Sequence, residues 1–389
     1  MTKIDSPQEK QALTLHERLH HPMANYIFLR SSVGALLGLG LVMVYSASSL
    51  FSYQTYGNTW NLAVRQIIFA LAGWFVMTSV AKFKVSTIRK SANLLMLGSL
   101  GALVLVLVIG TSVHGQKNWI EIGPVFRVQP SEFAKLAIVI WCADQLAKKY
   151  DYLHIQKHLL MPIAPVCGLI LALVMKEGDL GTAMVMMPMV ASMLFFVGAP
   201  RIWFAWMFSA AVVGIGLLTV AQPYRLERFK SWIDPGADPR GTGFQVIHGQ
   251  QALGSGGWFG LGLGGSREKW GTLPEAHTDF IYAVIGEELG IFGTISVIVL
   301  FLVIGILGFR IAQQANDPFV RLCAAGATTW ITTQMLVNLG AVLGTMPITG
   351  VPLPLVSYGG SSLIPTLAAF GILLSFARQQ GQLEQEQSQ

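Results

Sequence analysis

The stretch LPEAHTDFIYAVIGEELG, from Leu273 to Gly290, sets acids at the entrance to and inside an apolar run. Asp279 stands at the mouth, and Glu287 and Glu288 follow about two helical turns later. A carboxylate at the border between water and an apolar medium is desolvated, so its pKa rises and it can take a proton from a hydroxyl. The same position also suits the cap of the following helix, and the two roles are compatible. On a helix Glu287 lies about 80° from Asp279 and Glu288 about 180°, so only Glu287 can share its face. That makes Glu287 a candidate substrate contact. Pairing with cations or polar groups on neighbouring helices is the alternative for both glutamates.

Cations form the second constellation. Lys117 and Arg127 lie in the segment before a helix, and Lys135 sits three residues after Glu132 within it. Arg225 and Arg228 belong to PYRLERFK. As bland readings, Glu132 and Lys135 form an ion pair at a helix start and the loop cations are solvated. As a functional set, Lys117, Lys135, Arg225 and Arg228 would bind a diphosphate through charge-assisted hydrogen bonds. Ser357, in the polar turn SYGGSS, completes the substrate-binding candidates. Hydrolysis of a glycosidic bond needs two carboxylates, because its leaving group must be protonated. Glycosyl transfer from a lipid diphosphate has a good leaving group already. One base for the acceptor hydroxyl and a cationic cradle suffice.

These residues must be positioned by membrane helices. Of 389 residues, 53% are hydrophobic and 12% charged, about half the charged fraction of a soluble domain. Mean hydropathy is +0.55. Apolar runs near 30–50, 63–81, 93–112, 132–147, 159–176, 181–198, 202–221, 279–309, 321–344 and 360–377 predict an all-α, polytopic protein with ten transmembrane helices. The net charge of +6 is then a matter of topology and ligand binding, not of nucleic acid. Lys and Arg concentrate before the first run, between runs two and three, between four and five, and after the last. Both termini are therefore expected in the cytoplasm. A polar tail, 1–29, precedes the bundle, and the low-complexity end at 379–389 is expected to be disordered.

On this topology the 113–131 loop, a long segment at 222–278 and SYGGSS all lie outside the cytoplasm. In the long segment Trp232, Phe244, Trp258, Phe259 and Trp270 call for packing or for the membrane surface. GSGGWFGLGLGGS at 254–266 lacks the Lys-Ser/Thr of a phosphate loop and reads as flexible or tightly turning backbone. Asp179 in EGDLGTA suits a helix cap. The cysteines, Cys142, Cys167 and Cys323, fall in apolar runs and form no metal or disulfide pattern.

Together, LPEAHTDFIYAVIGEELG, VPLPLVSYGGSSL, GPVFRVQPSEFAK, EGDLGTA and MVYSASS resemble the SEDS family (shape, elongation, division and sporulation proteins) over about residues 28–378. Ala276, Gly286 and the double serine of SYGGSSL are more similar to its division members than to its elongation members. The resemblance implies a peptidoglycan glycosyltransferase of the inner membrane and division septum. It would act on lipid II with a class B penicillin-binding transpeptidase and other division-complex membrane proteins, with a divalent cation (Mg or Mn) as an optional cofactor. It places the catalytic base on Asp279 and the diphosphate-binding cations on Lys135 and on Arg225 or Arg228. Two positions depart from the family pattern. Asn118 stands where many members have Arg, with Lys117 adjacent to substitute, and Phe244 stands where many have Tyr. A lipid II flippase or an elongation-type polymerase is the alternative function.

Overall fold

The computed structural model describes residues 23–113, 116–123, 126–152, 159, 161, 163–221, 223–241, 243–271 and 273–387. Each of the ten apolar runs falls on a helix: α1 (Ala24–Tyr56), α2 (Asn61–Val80), α4 (Ala92–Ile109), α5 (Pro130–Lys148), α6 (Ile163–Lys176), α7 (Leu180–Val197), α8 (Arg201–Ala221), α11 (Ile281–Gln314), α12 (Pro318–Val342) and α13 (Gly360–Gln387). Three shorter helices join them: α3 (Val85–Lys90), α9 (Pro223–Ile233) and α10 (Phe244–Ser255). Among the described residues six helices are long and apolar enough to cross a membrane: α1, α2, α4, α7, α11 and α13. α5 and α12 are more polar, for a physical reason. They are interior helices, with α12 lying against α11, α7 and α5. A helix shielded from lipid can carry groups such as Lys135, Gln334 and Asn338.

The protein is all-α apart from a small antiparallel sheet, β1 (Thr111–Val113), β2 (Gln116–Ile122) and β3 (Phe126–Val128), that links α4 to α5. The end of the chain, expected to be disordered from 379, continues α13 as far as Gln387. Residues 1–22 of the polar N-terminal tail lie outside the described residues.

Two stretches of irregular backbone pack against the helices. The first splices into α11. At Gly290 (φ 67°, ψ −160°) that helix loses its regular geometry, which strands carbonyls before the break and amides after it. The glycine-rich segment answers both. Leu261 N and Gly262 N donate to the carbonyls of Glu287 and Glu288 at 2.9 and 3.0 Å, and Ile291 N donates to Gly257 O at 3.0 Å. The approach is too close for side chains. A Cβ on Gly260 would lie 2.1 Å from Glu288 O, and one on Gly256 would lie 1.9 Å from Gly286 O. The expected tight turning is present, with Gly257, Gly260, Gly262 and Gly264 at positive φ.

The second stretch, 345–359, leads into the polar turn SYGGSS. Val351, Leu353, Leu355, Val356 and Ser357 are buried, and a Cβ on Gly40, midway along α1, would meet Leu355 O at 2.6 Å. Unwound backbone is tolerated there because protein surrounds it and side chains satisfy it.

Gly260→Val should therefore destabilise the fold by about 3 kcal/mol, the upper range for overpacking. Gly98, whose Cβ would meet nothing within 4 Å, serves as control. Melting in detergent should fall sharply for Gly260→Val and stay level for Gly98→Ala.

Candidate active site

Asp279 lies two residues before α11, in the turn that leads into it. The cap position falls to Phe280, which makes no side-chain cap bond. The carboxylate of Asp279 is partly buried. Burial pushes its pKa up to about 7, the Glu275 charge adds to the rise, Arg228 opposes it and Asp179 adds a little. At neutral pH the group is thus poised between holding and releasing a proton. Gly350 (φ 75°) faces it, and a Cβ there would come within 3.6 Å of Asp279 Oδ2. His277 next door is desolvated, which lowers its pKa against the pull of Glu275. Its ring stacks on Phe51 at 5.1 Å, a packing role.

The backbone around Asp279 is held from the 345–359 segment and from α12. The hydroxyl of Ser357 donates to Thr278 O at 2.6 Å and accepts from Leu353 N at 2.8 Å. Tyr358 N donates to His277 O at 3.0 Å. Asn338 Nδ2 on α12 reaches both Asp279 O and Val351 O at 2.8 Å. From α2, Gln66 donates to Ser357 O at 3.2 Å and accepts from Gly359 N at 3.1 Å. Ser357 is therefore a positioning residue. Its hydroxyl ties Thr278 O to Leu353 N, while Tyr358 N and Asn338 hold the carbonyls of His277 and Asp279 on either side.

Arg228, on α9, donates to Ile348 O at 3.3 Å. It also lines a cavity of about 220 Å³ with Ser231, Trp232, Phe244, Gln245 and Ile348. Trp232 and Phe244 are thus the packed aromatics of the long segment. Arg225 lies on the same helix, and its side chain is outside the described residues. Lys117 points elsewhere, donating to Leu107 O and Val108 O at 2.8 and 3.1 Å and so closing the C-terminal end of α4. Glu287 is buried in the splice, where its carboxylate accepts from Ser266 Oγ at 2.6 Å and Arg267 N at 2.8 Å. Glu288 takes Lys269 Nζ at 2.8 Å and Ser46 Oγ at 2.7 Å. Both glutamates are paired, but not chiefly with neighbouring helices as expected: apart from Ser46 on α1, their partners lie at the end of the glycine-rich loop and just beyond it. Asp179 caps α7 through Thr182 N at 2.9 Å, as its position predicts, and also accepts from Gln129 and Ser131.

Sequence reasoning passed over Gln66, Gln334 and Asn338. All three are buried polar residues inside apolar helices, and that placement is itself a signal of function or pairing. Gln334 and Asn338 are four apart and share a helix face. Glu177 was also overlooked. Burial, with Asp179 adding, pushes its pKa up to about 8.

Residues 28–382 match the family model for FtsW/RodA/SpoVE cell cycle proteins. The chain is 39% identical over 358 residues to a probable peptidoglycan glycosyltransferase FtsW of Trichlorobacter lovleyi, covering 91% of this chain and 94% of that one. Among solved structures it is similar to a chain of a peptidoglycan synthase complex studied for the coordination of polymerization and crosslinking (TM-score 0.74, 30% identity, 90% of this chain, 97% of that one). It is also similar to the Rod shape determining protein RodA of Thermus thermophilus (TM-score 0.67, 28% identity, 90% and 96%).

Lys135 is fully buried. Its ammonium donates to Glu132 Oε1 at 2.8 Å and to Gln334 Oε1 at 2.7 Å, 5.1 Å from the centre of the Trp330 ring. Gln334 passes the connection on, its Nε2 donating to Pro352 O at 3.0 Å. The ion pair expected at the helix start is present, and it supports the 345–359 segment. Lys135→Met leaves Glu132 charged, buried and without its cation, a loss of about 3–5 kcal/mol. The expected outcome is little folded protein in size-exclusion chromatography, with much of it restored in Lys135→Met/Glu132→Gln.

Proposed function

The chain belongs to the FtsW/RodA/SpoVE family of cell cycle proteins, also called SEDS, and is a membrane-embedded peptidoglycan glycosyltransferase; from this premise we propose that Asp279 is the general base of glycan polymerisation. The observation that carries the proposal is the Asp279 carboxylate itself: raised to about 7 by burial, with the Arg228 charge acting on it, and with its backbone fixed by Ser357 and Asn338.

In the proposed step Asp279 accepts the proton of the GlcNAc 4-hydroxyl of an acceptor lipid II. The freed oxygen attacks the anomeric carbon of the donor MurNAc. A new carbon–oxygen bond forms as the bond to polyprenyl diphosphate breaks, and the diphosphate leaves with that electron pair. Attack from the face opposite the leaving group inverts the α-linked donor to a β-1,4 product. Arg228, with Arg225 on the same helix, meets the negative charge that develops on the diphosphate. Lys135 acts at one remove, by holding Gln334 and so the 345–359 segment.

All ten long helices are taken as crossings, with both termini cytoplasmic and Asp279 opening to the opposite side at the division septum. A class B penicillin-binding transpeptidase is the proposed partner. The similar chain from a peptidoglycan synthase complex supports that choice.

Purified protein with its transpeptidase partner and lipid II should make polymeric glycan, and Asp279→Asn should lose that activity by about 100-fold or more, the scale of a lost general base. Polymer formed equally well by the variant would refute the assignment. The pH profile gives a second check. The ionised carboxylate is the active form, so the rate should rise with pH and level off above about 7. Because Arg228 holds that pKa down, Arg228→Gln should move the rising limb to higher pH, besides lowering the maximum.

A further inference from the structure

The two ends of the glycine-rich loop face different media. At one end Ser266, the Arg267 amide and Lys269 are tied to Glu287 and Glu288. At the other, Trp258, Phe259 and Leu263 are 65%, 81% and 62% exposed, and Trp270, just beyond, is 66% exposed. Large apolar side chains so exposed and so close together are not the usual surface of a loop in water. Residues 254–266 carry no charge, and of the three charged residues at 267–269 only Arg267 is exposed.

The level of this patch can be read from α11. Gly290 interrupts the helix, and from Ile291 to Phe309 the sequence runs nineteen residues without a charge, bounded by Glu288 on one side and Arg310 on the other. At 1.5 Å per residue that run spans about 28 Å, close to the ~30 Å hydrocarbon core of a bilayer. A core of that thickness, started at Arg310 on the proposed cytoplasmic side, would end at the break at Gly290. The loop is bonded to it, through Ile291 N to Gly257 O at 3.0 Å and Phe292 N to Trp258 O at 3.4 Å. The Phe259 ring lies 5.3 Å from that of Phe292. The aromatic patch thus continues into the exposed, lipid-facing side of α11 formed by Phe292, Ile295 and Val299.

We infer that residues 257–270 form a membrane-interface anchor, with Trp258, Phe259, Leu263 and Trp270 inserted at the headgroup–acyl boundary on the Asp279 side and Arg267 placed to meet lipid phosphate. Tryptophan suits that zone, with an apolar ring and an N–H for the wet side, and phenylalanine and leucine supply the apolar face that enters the acyl region. Four glycines of the segment have positive φ: Gly257, Gly260, Gly262 and Gly264. They give the loop a fixed shape, so the anchor holds a set depth. Because Glu287 and Glu288 clamp it to the helix that begins two residues after Asp279, the anchor also fixes the height of that carboxylate above the membrane. The inference stands on the loop and α11 and does not require Asp279 to be the base.

The native cysteines are all buried, so single engineered cysteines can be labelled selectively. Phe259→Cys and Leu263→Cys, each carrying an environment-sensitive NBD dye, are placed in nanodiscs of phosphatidylethanolamine and phosphatidylglycerol. Arg240→Cys, on an exposed turn of the same outer segment, is the aqueous control. All three positions are exposed, so melting should match the parent. The expected result is blue-shifted emission at 259 and 263, quenched by lipids doxyl-labelled near the headgroup and insensitive to aqueous iodide, with the reverse at 240. Iodide quenching at 259 and 263 equal to that at 240 would overturn the anchor. So would shielding that appears only after the transpeptidase is added, which would make this face a protein contact.

Discussion

Peptide groups that leave regular helix inside an apolar bundle must still be hydrogen-bonded, because no water is there to take them. That constraint governs this protein more than any single contact. The segment 345–359 is unwound and buried, and its peptide groups call on Gln66, Gln334, Asn338 and Ser357. Those four residues come from two helices and from the segment itself. The same bonds run through to the backbone of residues 277–279. Position at Asp279 is thus a by-product of making buried irregular backbone tolerable.

Electrostatics fit that frame. A carboxylate at the end of a regular helix, fully solvated, would be ionised and too weak a base. Asp279 is set just outside α11, deep enough to be desolvated and close enough to Arg228 to remain within reach of ionisation. Other charges inside the bundle serve a different purpose. Lys135 with Glu132, and Lys269 with Glu288, are closed pairs that support irregular segments. Burial and pairing distinguish them from the site, although all belong to the same residue types.

Much of this was legible from residue order. The ten apolar runs fall on helices because a 20-residue uncharged stretch has few other solutions. Asp279 stood out because an acid at such a border is costly. Roles for the cations were less readable. Lys117 closes α4 and Lys135 is sealed inside, since spacing along a chain does not say which way a lysine turns. The buried course of 345–359 was hidden for a related reason. SYGGSS is polar and Gly-rich, which spells a surface turn, and only the polar faces of α2 and α12 across from it turn the segment inward. The small sheet at 111–128 is three short strands, too brief to leave a period.

The splice at Gly290 binds two distant stretches into one hereditary unit. Gly256 and Gly260 are glycine because helix backbone presses on them, and Gly290 is glycine because the loop presses back: a Cβ there would meet Gly260 N at 2.4 Å. None of the three can drift alone. Chimeras between relatives should therefore keep residues 254–292 from a single parent.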